Sequence, residues 1–102
     1  MEFDYSHNLS DEAVRARLSA LGDYLQNRHG IAVTWDGDDR ALFKGKYKSA
    51  EIDGAMTFGP RTLHFKGKDP GWKYRKLATW YIQKKLKAYF DESTPLDQLP
   101  RS

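Results

Sequence analysis

From Asp69 to Asp91 the apolar positions recur with the period of an α-helix. A step of about 100° per residue gathers Tyr74, Leu77, Ala78, Tyr81, Ile82, Leu86 and Tyr89 on one broad side. Lys73, Lys76, Trp80, Lys84 and Lys87 fall on the other. The pattern predicts a helix of about six turns. Asp69 can cap its first free N–H groups, and Pro70 suits the first helical position. One flank then packs a core while the other shows lysines around a tryptophan.

Upstream the period changes. Phe3 and Tyr5 alternate with Glu2 and Asp4, which predicts a short half-buried strand over Glu2 to Ser6. Ser10 follows as an N-cap, Asp11 and Glu12 suit the positive end of a helix dipole, and Leu9 can staple onto Val14. Val14, Leu18, Leu21 and Leu25 form an apolar stripe, and Gly30 is placed to end that helix in a left-handed conformation. Ile31, Val33 and Trp35 read as a second strand, and Asp36-Gly37-Asp38-Asp39 is turn chemistry. A third strand runs from Arg40 to Lys46 with Ala41 and Phe43 inward. A fourth alternates Ala50, Ile52, Gly54, Met56 and Phe58 with their neighbours, and Gly59-Pro60 turns the chain into a fifth bearing Leu63 and Phe65.

The order is β-α-β-β-β-β-α. Strands joined by short turns pair as an antiparallel meander, and every element has one apolar face to cover. The predicted class is therefore α+β, a two-layer fold with an antiparallel sheet of about five strands and two helices packed on one face. Residues 1–91 read as a single domain. Residues 92–102, with Pro95 and Pro100 and no periodicity, are expected as a flexible C-terminal tail.

Charge changes the picture more than composition does. The net charge is only +3, yet residues 1–39 carry a balance of −5, residues 40–90 of +10 and residues 91–102 of −2. Such asymmetry points to an anionic partner: nucleic acid, a negatively charged surface, or another protein's acidic patch. The plain alternative is a solvated, solubilising surface. The chain has no cysteine, which excludes disulfides, thiol catalysis and a thiolate zinc site. Its first residues lack a basic end followed by an apolar run, and no stretch approaches the ~18 apolar residues of a membrane span. A cytoplasmic protein without a membrane span is expected.

Catalytic constellations are not found. His7, His29 and His64 have no metal-ligand spacing, and His29 before Gly30 suits the negative end of a helix. Asp36, Asp38 and Asp39 lack the spacing of a calcium loop. The glycines form neither a dinucleotide fingerprint nor a phosphate loop, and Ser10 and Ser49 lack a nucleophile elbow. The expectation is a protein that is not an enzyme, with no cofactor and no metal. The best functional lead is a partner-binding face of Lys73, Lys76, Trp80, Lys84 and Lys87. A bland role for Trp80 is packing against a loop, the tail or the core edge. Lys44, Lys46, Lys48, Arg61, Lys66 and Lys68 would extend the positive field if their turns lie near the helix.

Three stretches carry a resemblance. Tyr5-Ser6-His7-Asn8-Leu9-Ser10-Asp11-Glu12-Ala13, the leucine-bearing helix ending at His29-Gly30, and Val33-Thr34-Trp35-Asp36-Gly37-Asp38 are similar to the small bacterial family of polyhydroxyalkanoic acid system proteins, encoded near polyester-granule genes. The likeness covers Met1 to Phe90. It implies a bacterial cytoplasmic protein associated with polyhydroxyalkanoate granules, and it brings no catalytic residues. The aromatic, lysine-rich last helix is this sequence's own feature.

Three functions follow as expectations. The first is a non-enzymatic accessory module presenting the basic helix face to an anionic surface or acidic protein, granule components included. The second is a small nucleic-acid-binding domain. The third is a small-ligand carrier with a cavity between helices and sheet.

Overall fold

The strand and helix periods are realised in order in a computed structural model, which describes residues 1–102. The elements are β1 (Glu2–Ser6), α1 (Asp11–His29), β2 (Ala32–Trp35), β3 (Arg40–Tyr47), β4 (Ala50–Gly59), β5 (Thr62–Gly67) and α2 (Arg75–Tyr89), with one 3-10 turn at Leu96–Gln98. All strands join one antiparallel sheet in the order β1-β5-β4-β3-β2. Crossing over one face, α1 takes the chain from one sheet edge to the other. Three consecutive hairpins then bring it back, so that β5 pairs with β1, Phe3 opposite Phe65 and Tyr5 opposite Leu63. The α+β, two-layer reading holds.

Period-two alternation explains the core. Ala41, Phe43, Ile52, Met56, Leu63 and Phe65 point from the sheet into the helix layer and are buried. They meet Val14, Leu18, Leu21 and Leu25 from α1 and Tyr81, Ile82, Leu86 and Tyr89 from α2. Each such large side chain contributes about 1.5–3 kcal/mol when fully buried. Two positions on this face must stay bare. A Cβ at Gly45 would lie 2.7 Å from the Ile31 Cα, and one at Gly54 would lie 2.7 Å from the Phe65 ring.

The ends of α1 follow the sequence signals. The Ser10 hydroxyl accepts from the Ala13 N–H at 3.2 Å, and Asp11 and Glu12 occupy the first turn. Gly30, at φ 69°, donates to Gln26, while Ile31 donates back to Leu25 at 3.1 Å. The Gly30–Gln26 bond, made by a residue in the left-handed conformation just past the helix, is an αL cap.

The start of α2 differs from expectation. The helix begins at Arg75, one and a half turns after Asp69. Pro70-Gly71 forms a turn with Gly71 at φ 100°, a conformation that stops a right-handed helix from propagating. Asp69 is used within this turn, accepting from the Gly71 N–H at 2.9 Å and from Arg75 at 2.5 Å. Lys73 therefore lies just outside the helix. The first turn of α2 has no acidic residue and no side-chain cap, which leaves the positive end of its dipole unopposed.

Where lack of periodicity suggests a flexible tail, the structure lays residues 92–102 along α1. Leu99 is buried in the core, the Tyr89 hydroxyl donates to the Pro100 carbonyl, and Arg101 pairs with Asp23 at 2.6 Å. Arg17, an α1 residue, donates to the carbonyls of Tyr89 (3.0 Å), Asp91 (3.0 Å) and Thr94 (2.8 Å). The chain after α2 is tied down by hydrogen bonds to a segment more than seventy residues earlier.

Candidate functional site

Helical geometry puts Lys76, Trp80, Lys84 and Lys87 on the solvent side of α2, with Lys73 just before its first turn. All five are exposed. At 1.5 Å rise per residue, Lys76 to Lys87 makes a stripe about 16 Å long. Trp80 is 51% exposed, so it does not serve the core. The Lys84 ammonium lies 4.8 Å from the Trp80 ring centroid, a cation–π contact between successive turns. Every ion pair in the molecule uses an arginine or His64. The lysines of the stripe are therefore not neutralised by the protein's own carboxylates.

One residue of this region escaped the sequence reading. Trp72, in the turn ahead of α2, is 79% exposed, and the Lys73 ammonium sits 5.7 Å from its ring. Its signal was Pro70-Gly71, which marks a turn and so frees the next side chain from helical packing. Lys85 departs in the other direction. It leans inward, 4.3 Å over the Tyr24 ring and 3.3 Å from the Tyr24 hydroxyl.

Three of the six other bases do not extend the stripe. Lys44, Lys46 and Lys66 project from the opposite face of the sheet, because residues at odd spacing from Phe43 and Phe65 point away from the helices. There they stand opposite Asp53, Glu51 and Glu2 in the strand register. The uncovered sheet face is thus balanced, while the helix face carries uncompensated charge.

A ligand carrier requires a chamber between the layers, and the core provides almost none. The cavity lined by Leu21, Leu25, Phe43, Met56 and Tyr81 measures about 20 Å³. That holds roughly one water, against the ~300 Å³ or more of a small-molecule pocket. The carrier expectation is corrected on this ground.

The three histidines have separate structural roles. His7 accepts the Leu9 N–H on Nδ1 at 3.1 Å and stands edge-on to Phe90, and burial lowers its pKa. His29 packs edge-on against Tyr47 and Tyr81, and burial, with Lys85 and Arg28 nearby, lowers its pKa too. His64 lies on the uncovered face between Asp4, 2.6 Å from Nδ1, and Glu2, 2.7 Å from Nε2. Its pKa is raised, first by the Asp4 hydrogen bond and then by Glu2. A raised folded pKa gives stability that is complete below the unfolded value near 6.5 and lost as pH rises through the folded value. Denaturant midpoints of wild type and His64→Asn, compared across pH 6 to 9, are expected to converge as pH rises, with wild type ahead at the acid end. A constant difference contradicts this account.

With this geometry in view, the comparison with protein families is decisive. Residues 1–93 match the family model described as putative polyhydroxyalkanoic acid system protein. The chain belongs to that family. Comparison with curated proteins and with solved structures returns no match. The polyhydroxyalkanoic acid system match spans every strand and both helices. The residues that carried the resemblance are employed structurally: His7 and Ser10 organise the entry to α1, Gly30 ends it, and Gly37, at φ 78°, makes the turn after β2. No helix is long and apolar enough to cross a membrane.

Proposed function

We propose that this polyhydroxyalkanoic acid system protein is a non-enzymatic accessory module that attaches to an anionic surface, that of a polyhydroxyalkanoate granule or of an acidic protein on it. Attachment uses Lys73, Lys76, Trp80, Lys84 and Lys87, joined by Trp72. The observation that carries the reading is the half-exposed Trp80 beneath Lys84, in a stripe of lysines without carboxylate partners. A helix whose N-terminal end gathers Lys73, Arg75 and Lys76 works against its own dipole, costing a few tenths of a kcal/mol or more. Charges placed at a local cost to stability are a mark of function. The family match supports the granule as the setting.

Near an anionic surface each lysine contributes about 1 kcal/mol, so four give ~4 kcal/mol and a dissociation constant near ~1 mM. Insertion of the tryptophan rings must therefore supply part of the grip. The test is cosedimentation with purified granules across a salt series. Binding at low salt is expected to fall as salt rises, and Trp80→Ala is expected to weaken it at every salt concentration. Absence of low-salt binding, or binding indifferent to salt, overturns the proposal.

A further inference from the structure

The two edges of the sheet are treated differently by the sequence. Edge β1 carries Glu2 and Asp4, charges that discourage another strand from pairing there. Edge β2 is Ala32-Val33-Thr34-Trp35, with no charge, no proline and no bulge. The bond from the Asp36 N–H to the Arg40 carbonyl, 2.9 Å, fixes the alternation along this hairpin. Thr34 and Ala32 direct their backbone groups at β3, so those of Val33 and Trp35 face outward. A groove of about 240 Å³ runs beside them, between β2 and the Ser19, Gly22 and Gln26 flank of α1. Trp35 is 36% exposed at its rim.

We infer that β2 is a self-association seam, pairing antiparallel with β2 of a second copy to give a continuous ten-stranded sheet. One twofold register uses every free group: Val33 opposite the partner's Trp35, Thr34 opposite the partner's Thr34. The two Val–Trp pairs exchange four backbone hydrogen bonds. Each side-chain pair is of a favourable kind, β-branched with aromatic on the α1 side and threonine with threonine on the uncovered side. Charge also agrees with an antiparallel mate. Asp36, Asp38 and Asp39 follow β2, and although Arg40 and Arg15 pair with the first two, Asp39 leaves that end net acidic, whereas Arg28 precedes the strand and Lys44 stands beside Ala32. Twofold pairing sets the acidic end of each copy against the basic end of the other, which favours this orientation over a parallel one. The dimer also carries two lysine–tryptophan stripes, so a weak single attachment gains from avidity. The seam itself does not depend on that attachment.

Sedimentation equilibrium from micromolar to millimolar protein, without granules, tests it. The mass is expected to rise from 11.8 kDa toward twice that value, while Thr34→Lys, exposed in the monomer, stays at 11.8 kDa. Because the chain has no cysteine, Thr34→Cys is a clean reporter. It is expected to oxidise to a linked dimer, since directly opposed residues of a non-hydrogen-bonded pair meet disulfide geometry. Thr57→Cys, further in on the same face, is expected not to. A monomer mass throughout, a dimer indifferent to Thr34→Lys, or equal cross-linking at Thr34 and Thr57 overturns the inference.

Discussion

Exchanging Lys73, Lys76, Lys84 and Lys87 together for glutamine is expected to weaken attachment to an anionic granule surface by roughly a thousandfold, the equivalent of ~4 kcal/mol. The fold should not suffer. All four side chains are exposed, none is ion-paired, and surface changes of this kind stay within about 0.5 kcal/mol. Removing Lys73 and Lys76 from the positive end of α2 should even help the helix slightly. The discriminating control is a second neutralised variant, with glutamine at Lys44, Lys46 and Lys66. Those bases lie across the sheet, opposite Asp53, Glu51 and Glu2, so their loss should change attachment little. Equal loss from both variants means that net charge, not the α2 face, drives binding, and the site assignment fails. Salt-titrated gel shifts separate the nucleic-acid reading. Four phosphate contacts predict a log–log slope of about −3.6 on duplex DNA, and that slope without granule attachment would replace the granule with DNA.

The lysine face was legible because helical period is a local signal. Lys76, Trp80, Lys84 and Lys87 share a side whatever the helix packs against. The strands were legible for the same reason, each within a residue or two of its observed ends. Gly30 and Ser10 fixed the limits of α1 through their own backbone and hydroxyl. The start of α2 was not legible from capping rules alone, since Asp69-Pro70 opens a helix or a turn equally well. Gly71 decides, and its positive φ follows from Pro-Gly turn chemistry, a signal outweighed by the long apolar period behind it. The placement of the six other bases needed the sheet. Whether Lys44 or Lys66 adds to the helix field depends on which face each strand turns to the core.

The C-terminal segment was hidden for a different reason. Nothing in Glu92 to Ser102 has period or apolar density, yet Leu99 is buried. Its partners sit on α1, at Arg17, Asp23 and Asn27. A contact between residues this far apart leaves no trace in local pattern. Arg17 even looks ordinary, a single base between apolar neighbours on a helix that is otherwise acidic at its start. The structure shows it to be 9% exposed.

Arg17→Met is accordingly expected to destabilise the protein by about 3 kcal/mol, the largest loss from any single polar substitution proposed for it. Methionine keeps much of the apolar stem, so the loss isolates the guanidinium. Hydrogen bonds to a charged group contribute about 1.5–3 kcal/mol each. Arg17 makes three, to Tyr89, Asp91 and Thr94. The total is less than their sum, because the carbonyls of Asp91 and Thr94 can turn to water, whereas that of Tyr89 is enclosed. The cation also faces the negative end of the α2 dipole, an interaction that methionine cannot replace. At roughly 4 °C per kcal/mol for a domain of this size, the melting temperature should fall by about 12 °C. Amide exchange should show where the loss falls: protection of Leu99 N–H, bonded to Leu96, is expected to collapse first. A melting temperature within about 2 °C of wild type would mean that the C-terminal strap contributes nothing to stability. The attachment face reports independently. Its lysines lie on the outer side of α2, upstream of the carbonyls that Arg17 holds, so the folded Arg17→Met protein should still bind granules, and binding lost together with stability would instead make the strap part of what orients that face.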